Sequence, residues 1–349
     1  MGRPFVLACL LLGLLSSTAH AAVVFMYHRF GEDRYPSTSV RLEQFDAHLE
    51  HLAAAGYQVW PLARIAEQLQ AGIALPDKVV AITVDDAYSS VYEQAWPRLR
   101  ERGWPFTVFV ATDPVDRQLR GYMRWEQMRE MAAAGVHFAN HSRRHDKLHI
   151  RLPGETAVDW AERVRADLAH AEQRLRAELG AAAVPASPRL FAYPYGEYSL
   201  ELTDLLAELG YVAFGQHSGA VGAESDLQAL PRFPMAEAYA DLPEFRQKAA
   251  ALPLPLRERE PLDPILGDNN PPRFSASIGP TRTSPARLTC YASNQGRLTV
   301  QWLADRRFSV QAGKPYPPGR ARYNCTLPAG EPGRFYWYSQ PWIVPGGKN

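Results

Sequence analysis

Cysteine is scarce in this chain: 349 residues hold three, and Cys9 lies in an apolar N-terminal stretch expected to be discarded. An excess of charge of one sign is also missing. Lys and Arg total 38 against 37 Asp and Glu, a net charge of +1 that offers no electrostatic case for nucleic acid. A local basic patch, such as Arg143, Arg144 and Lys147, is still available to an anionic polymer. Nor is any apolar run long enough to span a bilayer comfortably, since the N-terminal one covers only Phe5 to Leu15.

What is present begins with an export signal. Arg3 precedes the apolar core and Ala19-His20-Ala21 closes it, so residues 1–21 read as a secretory signal peptide that sends the chain to the periplasm or outside the cell. Cys290 and Cys325 then remain in an oxidising compartment, where such a pair is expected to form a disulfide.

From 22 to 250, strand-like runs alternate with amphipathic segments. Val23 to Tyr27, Lys78 to Val84, Phe106 to Val110, Val136 to Ala139, Arg189 to Tyr193 and Val212 to Phe214 read as buried strands. Helical patterns separate them at Leu42–Ala55, Leu62–Gln70, Tyr88–Arg102, Trp125–Ala134, Glu155–Leu179 and Leu200–Leu209. That alternation predicts an α/β domain on a parallel sheet, either open and doubly wound or closed into a barrel. Residues 251–273, rich in proline and charge and without a period, read as a linker. From 274 to 349 the texture is all-β. The order Cys290, Trp302, Tyr323, Cys325 resembles an immunoglobulin-like sandwich, with Trp on the bridge and Tyr at the corner. The aromatic run Phe335 to Tyr338 and Trp342 has three readings: sugar stacking, packing on the neighbouring domain, or plain core.

Three short elements follow strand ends. Asp85-Asp86 closes the first, a place where ligands and catalysis gather in parallel α/β folds, although an Asp there can also cap the next helix. His141 and His145 follow the second. Imidazoles four apart converge on one ion if the chain turns between them, and with an Asp they make a facial set with open positions; lone histidines are more often satisfied surface or core residues. Pro194-Tyr195-Gly196 follows the third, where Pro and Gly set a turn whose N–H groups can face a site, or an ordinary strand-to-helix turn.

In this order the elements resemble the polysaccharide deacetylases of carbohydrate esterase family 4, the NodB-homology group. Thr83-Val-Asp85-Asp86-Ala-Tyr is similar to its T-F-D-D-G motif, His141-Ser-Arg-Arg-His145 to H-S/T-x-x-H, and Pro194-Tyr195-Gly196 to P-Y-G. The resemblance covers roughly Val23 to Ala250 and implies an irregular (β/α) barrel there, upstream of the all-β sandwich read from the later strands. It further implies Asp85 as general base and Asp86, His141 and His145 as ligands of a divalent metal. That metal would be Zn²⁺, with Co²⁺, Ni²⁺ or Fe²⁺ tolerated. The Tyr195 backbone would be an oxyanion donor, and the substrate an N-acetylated polysaccharide or oligosaccharide. Two departures stand out. Ala192 replaces the family arginine that pairs with the base, and the late histidine motif is absent. In a subgroup resembling biofilm poly-N-acetylglucosamine deacetylases, an N-terminal Tyr-His supplies the acid, which makes His28 in Met26-Tyr27-His28 the first choice and His217 the second. The competing expectations are an O-acetyl polysaccharide esterase and a non-catalytic polysaccharide-binding or export factor.

Overall fold

The computed structural model describes residues 21–346. The expected signal peptide, but for Ala21, lies outside the described residues. Among those described, no helix is long and apolar enough to cross a membrane.

Eight parallel strands form the first domain: β1 (Ala22–Tyr27), β2 (Gln58–Val59), β3 (Val79–Asp85), β4 (Thr107–Val110), β5 (His137–Asn140), β6 (Arg189–Ala192), β7 (Tyr211–Phe214) and β8 (Phe233–Pro234). Their order is β8-β1-β3-β4-β5-β6-β7, with β2 also on β3. No continuous ladder joins β7 to β8. Leu230 makes a bridge to Phe214 while Phe233 pairs with Phe25, so the segment between them closes an irregular half-barrel.

Strand alternation sorts the side chains into two cores. Phe25, Val80, Ile82 and Val84 face the helices, meeting Phe45, Leu49, Leu99 and Met128. Val24, Ala81, Phe109, Ala139, Ala192 and Phe214 face inward, where helix Leu62–Gln70 adds Ile65 and Leu69. Asp85 shares parity with Ala81, and His141 with Ala139. Both are therefore carried to the inner side at the carboxyl rim of the sheet, and both are fully buried.

The second domain is a sandwich over one core. One sheet runs β9 (Leu252–Pro253), β17 (Phe335–Val344), β16 (Gly319–Pro328), β12 (Thr289–Ala292) and β13 (Gly296–Leu298). The other runs β10 (Leu256–Glu260), β11 (Arg273–Ile278), β15 (Arg307–Gln311) and β14 (Gln301–Ala304). Residues 251–273 are thus not a free linker. Leu252, Leu254 and Leu256 alternate into the sandwich core, and the prolines between them obscured that two-residue period. Cys290 and Cys325 form the expected disulfide, but as register partners on β12 and β16 within one sheet rather than across two. Trp302 accordingly does not pack on the bridge; it stands 41% exposed on edge strand β14. Trp342 fills the core instead, 5.5 Å from Tyr323. The Tyr323 hydroxyl donates to Pro272 O and accepts from Ala312 N–H, both at 2.8 Å.

The aromatic run divides by face. Tyr336 enters the sandwich core, while Trp337 packs against Phe233 of the first domain with ring centroids 5.2 Å apart. Arg334 pairs with Asp77 and donates to Ala250 O at 3.1 Å, which ties the two domains together beside this contact.

Candidate active site

The rim of the sheet is shaped by backbone that leaves the right-handed regions. Asp86 and Ala87 both have positive φ, 72° and 58°, immediately after β3. Neither Asp85 nor Asp86 caps the following helical segment, which begins at Val91 after Ser90. After β5, the buried Asn140 Oδ1 accepts from Ser142 N–H at 2.9 Å, and Ser142 Oγ accepts from His145 N–H at 2.9 Å. These local bonds hold the turns at Ser142 (φ 68°) and His145 (φ 62°) that bring the two imidazoles together.

Three predicted ligands converge. Asp86 Oδ1 lies 3.3 Å from His141 Nε2 and 3.1 Å from His145 Nε2, and the three side chains could hold one metal ion. His141 Nδ1 donates to Ala192 O at 2.7 Å. A carbonyl only accepts, so the neutral ring keeps its lone pair on Nε2, which is buried without a hydrogen-bond partner. A divalent cation fits that donor set: one carboxylate, two imidazoles, one ring already oriented from behind. Burial pushes the Asp86 carboxyl up, but the facing imidazoles of His141 and His145 hold it well below the usual range.

Asp85 is held by a residue that motif reading missed. Arg232 meets it with two parallel bonds, Nη1 to Oδ1 and Nη2 to Oδ2, each 2.7 Å, and both side chains are fully buried. Arg232 also donates from Nη1 to Thr83 Oγ1 (3.1 Å) and from Nε to Gly215 O (3.0 Å). It lies on the segment that closes the barrel. Burial alone would raise the Asp85 pKa, yet the facing guanidinium keeps it below the ordinary value. The available signal was a lone Arg in the apolar run Leu230-Pro231-Arg232-Phe233-Pro234.

His28 follows β1, whose Tyr27 pairs with Val84, so it emerges beside Asp85. Burial lowers its pKa, while the charges of Asp85 and Asp86 work in the opposite direction. His217 is elsewhere: it lines a cavity of about 240 Å³ between the domains with Tyr198, Arg259 and Trp337. Burial, reinforced by Arg259, Arg232 and Arg322, pushes its pKa down to about 3.

Tyr195 completes the group. Its φ is 60°, and its ring meets His145 edge-on with centroids 4.5 Å apart. The turn's own bonds run from Gly196 N–H to Tyr193 O (2.8 Å) and from Glu197 N–H to Pro194 O (3.2 Å), neither using the Tyr195 N–H. Gly196 is obligatory here, because a Cβ would come within 2.5 Å of Gln216 Cβ at a φ of +69°. In front of the site opens a cleft of about 1000 Å³ that includes Asp86, His145, Tyr195, Tyr88 and Tyr122.

Residues 72–214 match the family model described as polysaccharide deacetylase. Over that span the chain is similar to the polysaccharide deacetylases. The chain is also similar to the poly-beta-1,6-N-acetyl-D-glucosamine N-deacetylase of Escherichia coli K12, with 29% identity over 244 residues. That match takes in 60% of this chain and 35% of the relative, so the chain spans about a third of that protein's length. Among solved structures, IcaB from Ammonifex degensii superposes with a TM-score of 0.55 at 26% identity, covering 66% of this chain and 97% of that one. The Streptococcus pyogenes deacetylase PplD, solved with acetate, shares the fold at 21% identity and a TM-score of 0.54, covering 64% and 95%.

Proposed function

We propose that this chain removes N-acetyl groups from a polysaccharide containing N-acetylglucosamine, as a metal-dependent hydrolase of the exported compartment. The observation that carries the reading is the adjacency of two differently held carboxylates: Asp86 shared between two imidazoles, Asp85 locked by Arg232. The first suits a ligand and the second a base. Asp86, His141 and His145 would hold the ion. When bound, a divalent ion supplies Lewis acidity, lowering the pKa of water and polarising a carbonyl.

The protein's own groups do the rest. Asp85 stays ionised beside Arg232, and each of its oxygens keeps a second lone pair with which to take a proton from the attacking water. The Tyr195 N–H donates to the acetyl oxygen as charge develops there, an effect worth about 3 kcal/mol per donor in acyl transfer. His28 gives a proton to the departing amine; His217, buried in another cavity and resistant to protonation, is poorly suited to that task. Tyr88 and Tyr122, with ring centroids 5.0 Å apart, offer an aromatic wall for a pyranose in the cleft. The name of the Escherichia coli relative supports an N-acetylglucosamine polymer as substrate.

Acetate release by the metal-loaded chain on N-acetylglucosamine oligomers, with Asp85→Asn beside it, tests the reading. Release that disappears in the variant supports it. No release from N-acetylated substrates, with release from O-acetylated ones, would replace it with the esterase; no release from either would leave the binding or export role.

A further inference from the structure

The turn that presents Tyr195 is gripped from the other domain. Arg320, at the start of β16 in the sandwich, donates from Nη1 to the Tyr195 carbonyl oxygen and, at 3.3 Å, to Gln216 Oε1. Its Nε lies 3.8 Å from Glu197 Oε1. Glu197 is buried, and its other oxygen faces Lys147 Nζ at 3.1 Å and His149 Nε2 at 3.8 Å, both on the loop that follows His145. One carboxylate therefore joins the Tyr195 turn, the loop of a candidate metal ligand, and the sandwich.

The turn needs an external hold. Tyr195 sits in the left-handed region at φ 60°, where a residue with a Cβ persists only if its surroundings over-determine it. Its N–H and C=O share one Cα, so a donor fixed on the carbonyl limits how far the N–H can swing. The side chain of Arg320 is 54% exposed, so its ion pair adds little to global stability. Placement is another matter, because a shift of about 1 Å at a reacting centre can cost on the order of 100-fold in rate.

We infer that Arg320 is a positioning residue for deacetylation: the sandwich sets the oxyanion turn of the neighbouring domain, and the two domains form one catalytic unit. This rests on the deacetylase reading above. The test uses the full chain as wild type, Arg320→Ala and Arg320→Lys, with two readouts. In the first, amide exchange across residues 193–198 speeds up in Arg320→Ala, while β3, β5 and the thermal midpoint stay as in wild type. In the second, kcat on an N-acetylglucosamine oligomer falls roughly 10- to 100-fold with KM nearly constant. Arg320→Lys, or added guanidinium with Arg320→Ala, restores part of the rate. Unaltered exchange, an unaltered kcat, or a loss matched by a fall in thermal midpoint overturns the inference. A wild-type chain that releases no acetate sinks the deacetylase reading and the catalytic role of Arg320 with it. Exchange then still decides whether the sandwich holds the turn.

Discussion

The Arg232 guanidinium meets both oxygens of the Asp85 carboxylate at 2.7 Å, between residues 147 positions apart and without solvent access. Removing one partner of such a pair strands the other charge. Arg232→Met should therefore destabilise the chain by about 3–5 kcal/mol, whereas the double change with Asp85→Asn should recover a large part of it. Denaturant unfolding of the two single variants and the double measures this, and equal costs for single and double would contradict it. Arg232→Lys keeps a charge but loses the two-pronged geometry, so it should fold better than Arg232→Met and still lose acetate release.

His141 and Asp85 should separate binding from chemistry. His141→Ala removes a ligand oriented through Ala192 O, and metal content after dialysis should fall well below one per chain. Asp85→Asn should keep the metal. Its acetate release should fall by on the order of 10²- to 10⁴-fold, the range for loss of a general base. Retained stoichiometric metal in His141→Ala would remove that residue from the ligand set.

His28 emerges beside Asp85 at the sheet rim whereas His217 lines the cavity between the domains, so their variants should behave differently. His28→Ala should lower N-deacetylation by about 10²- to 10⁴-fold and affect an ester substrate much less, since an alkoxide leaves without help. His217→Ala should stay within a few-fold of wild type on both. The reverse pattern, measured as kcat, would exchange their roles.

Stability should fall on acidification through a buried histidine that is not among the candidate site residues. His48 is buried, stacked on Phe245 at 3.9 Å, donates from Nε2 to Ala240 O at 2.6 Å, and accepts at Nδ1 from the Tyr27 hydroxyl at 3.0 Å. Burial lowers its pKa to about 4. Between there and the ordinary value of 6.5 the unfolded chain binds a proton that the folded chain refuses. The contribution is thus complete above pH 6.5 and is lost as pH falls toward 4, at about 1.4 kcal/mol per pH unit in that window. His48→Gln can make both hydrogen bonds without titrating. Its unfolding free energy should show a slope shallower by that amount, and an unchanged slope would refute the neutral buried state.

What could be read in advance has a common physical character. Asp85-Asp86, His141 to His145 and Pro194 to Gly196 are each contiguous, and each follows a short apolar run. Spacing along the chain and strand parity therefore located them at the sheet rim. The parallel α/β domain was legible for the same reason, because alternating strands and amphipathic helices are local patterns. The sandwich was legible as a class but not in its wiring, since Cys290 and Cys325 read the same whether they bridge two sheets or two neighbouring strands of one.

The sequence by itself determined which chemistry the chain can carry: two carboxylates, two imidazoles and a constrained turn, in an order that resembles one family of deacetylases. Only the tertiary structure decided how that chemistry is held. Arg232 reaches Asp85 because the segment from Leu230 to Phe233 closes the barrel, His217 is drawn away into the cavity between domains, and Leu252 to Leu256 join the sandwich core despite their prolines. Arg320 reaches Tyr195 because the sandwich docks there. Each depends on register and closure between segments far apart in the chain, and local spacing carries no record of distances of that kind.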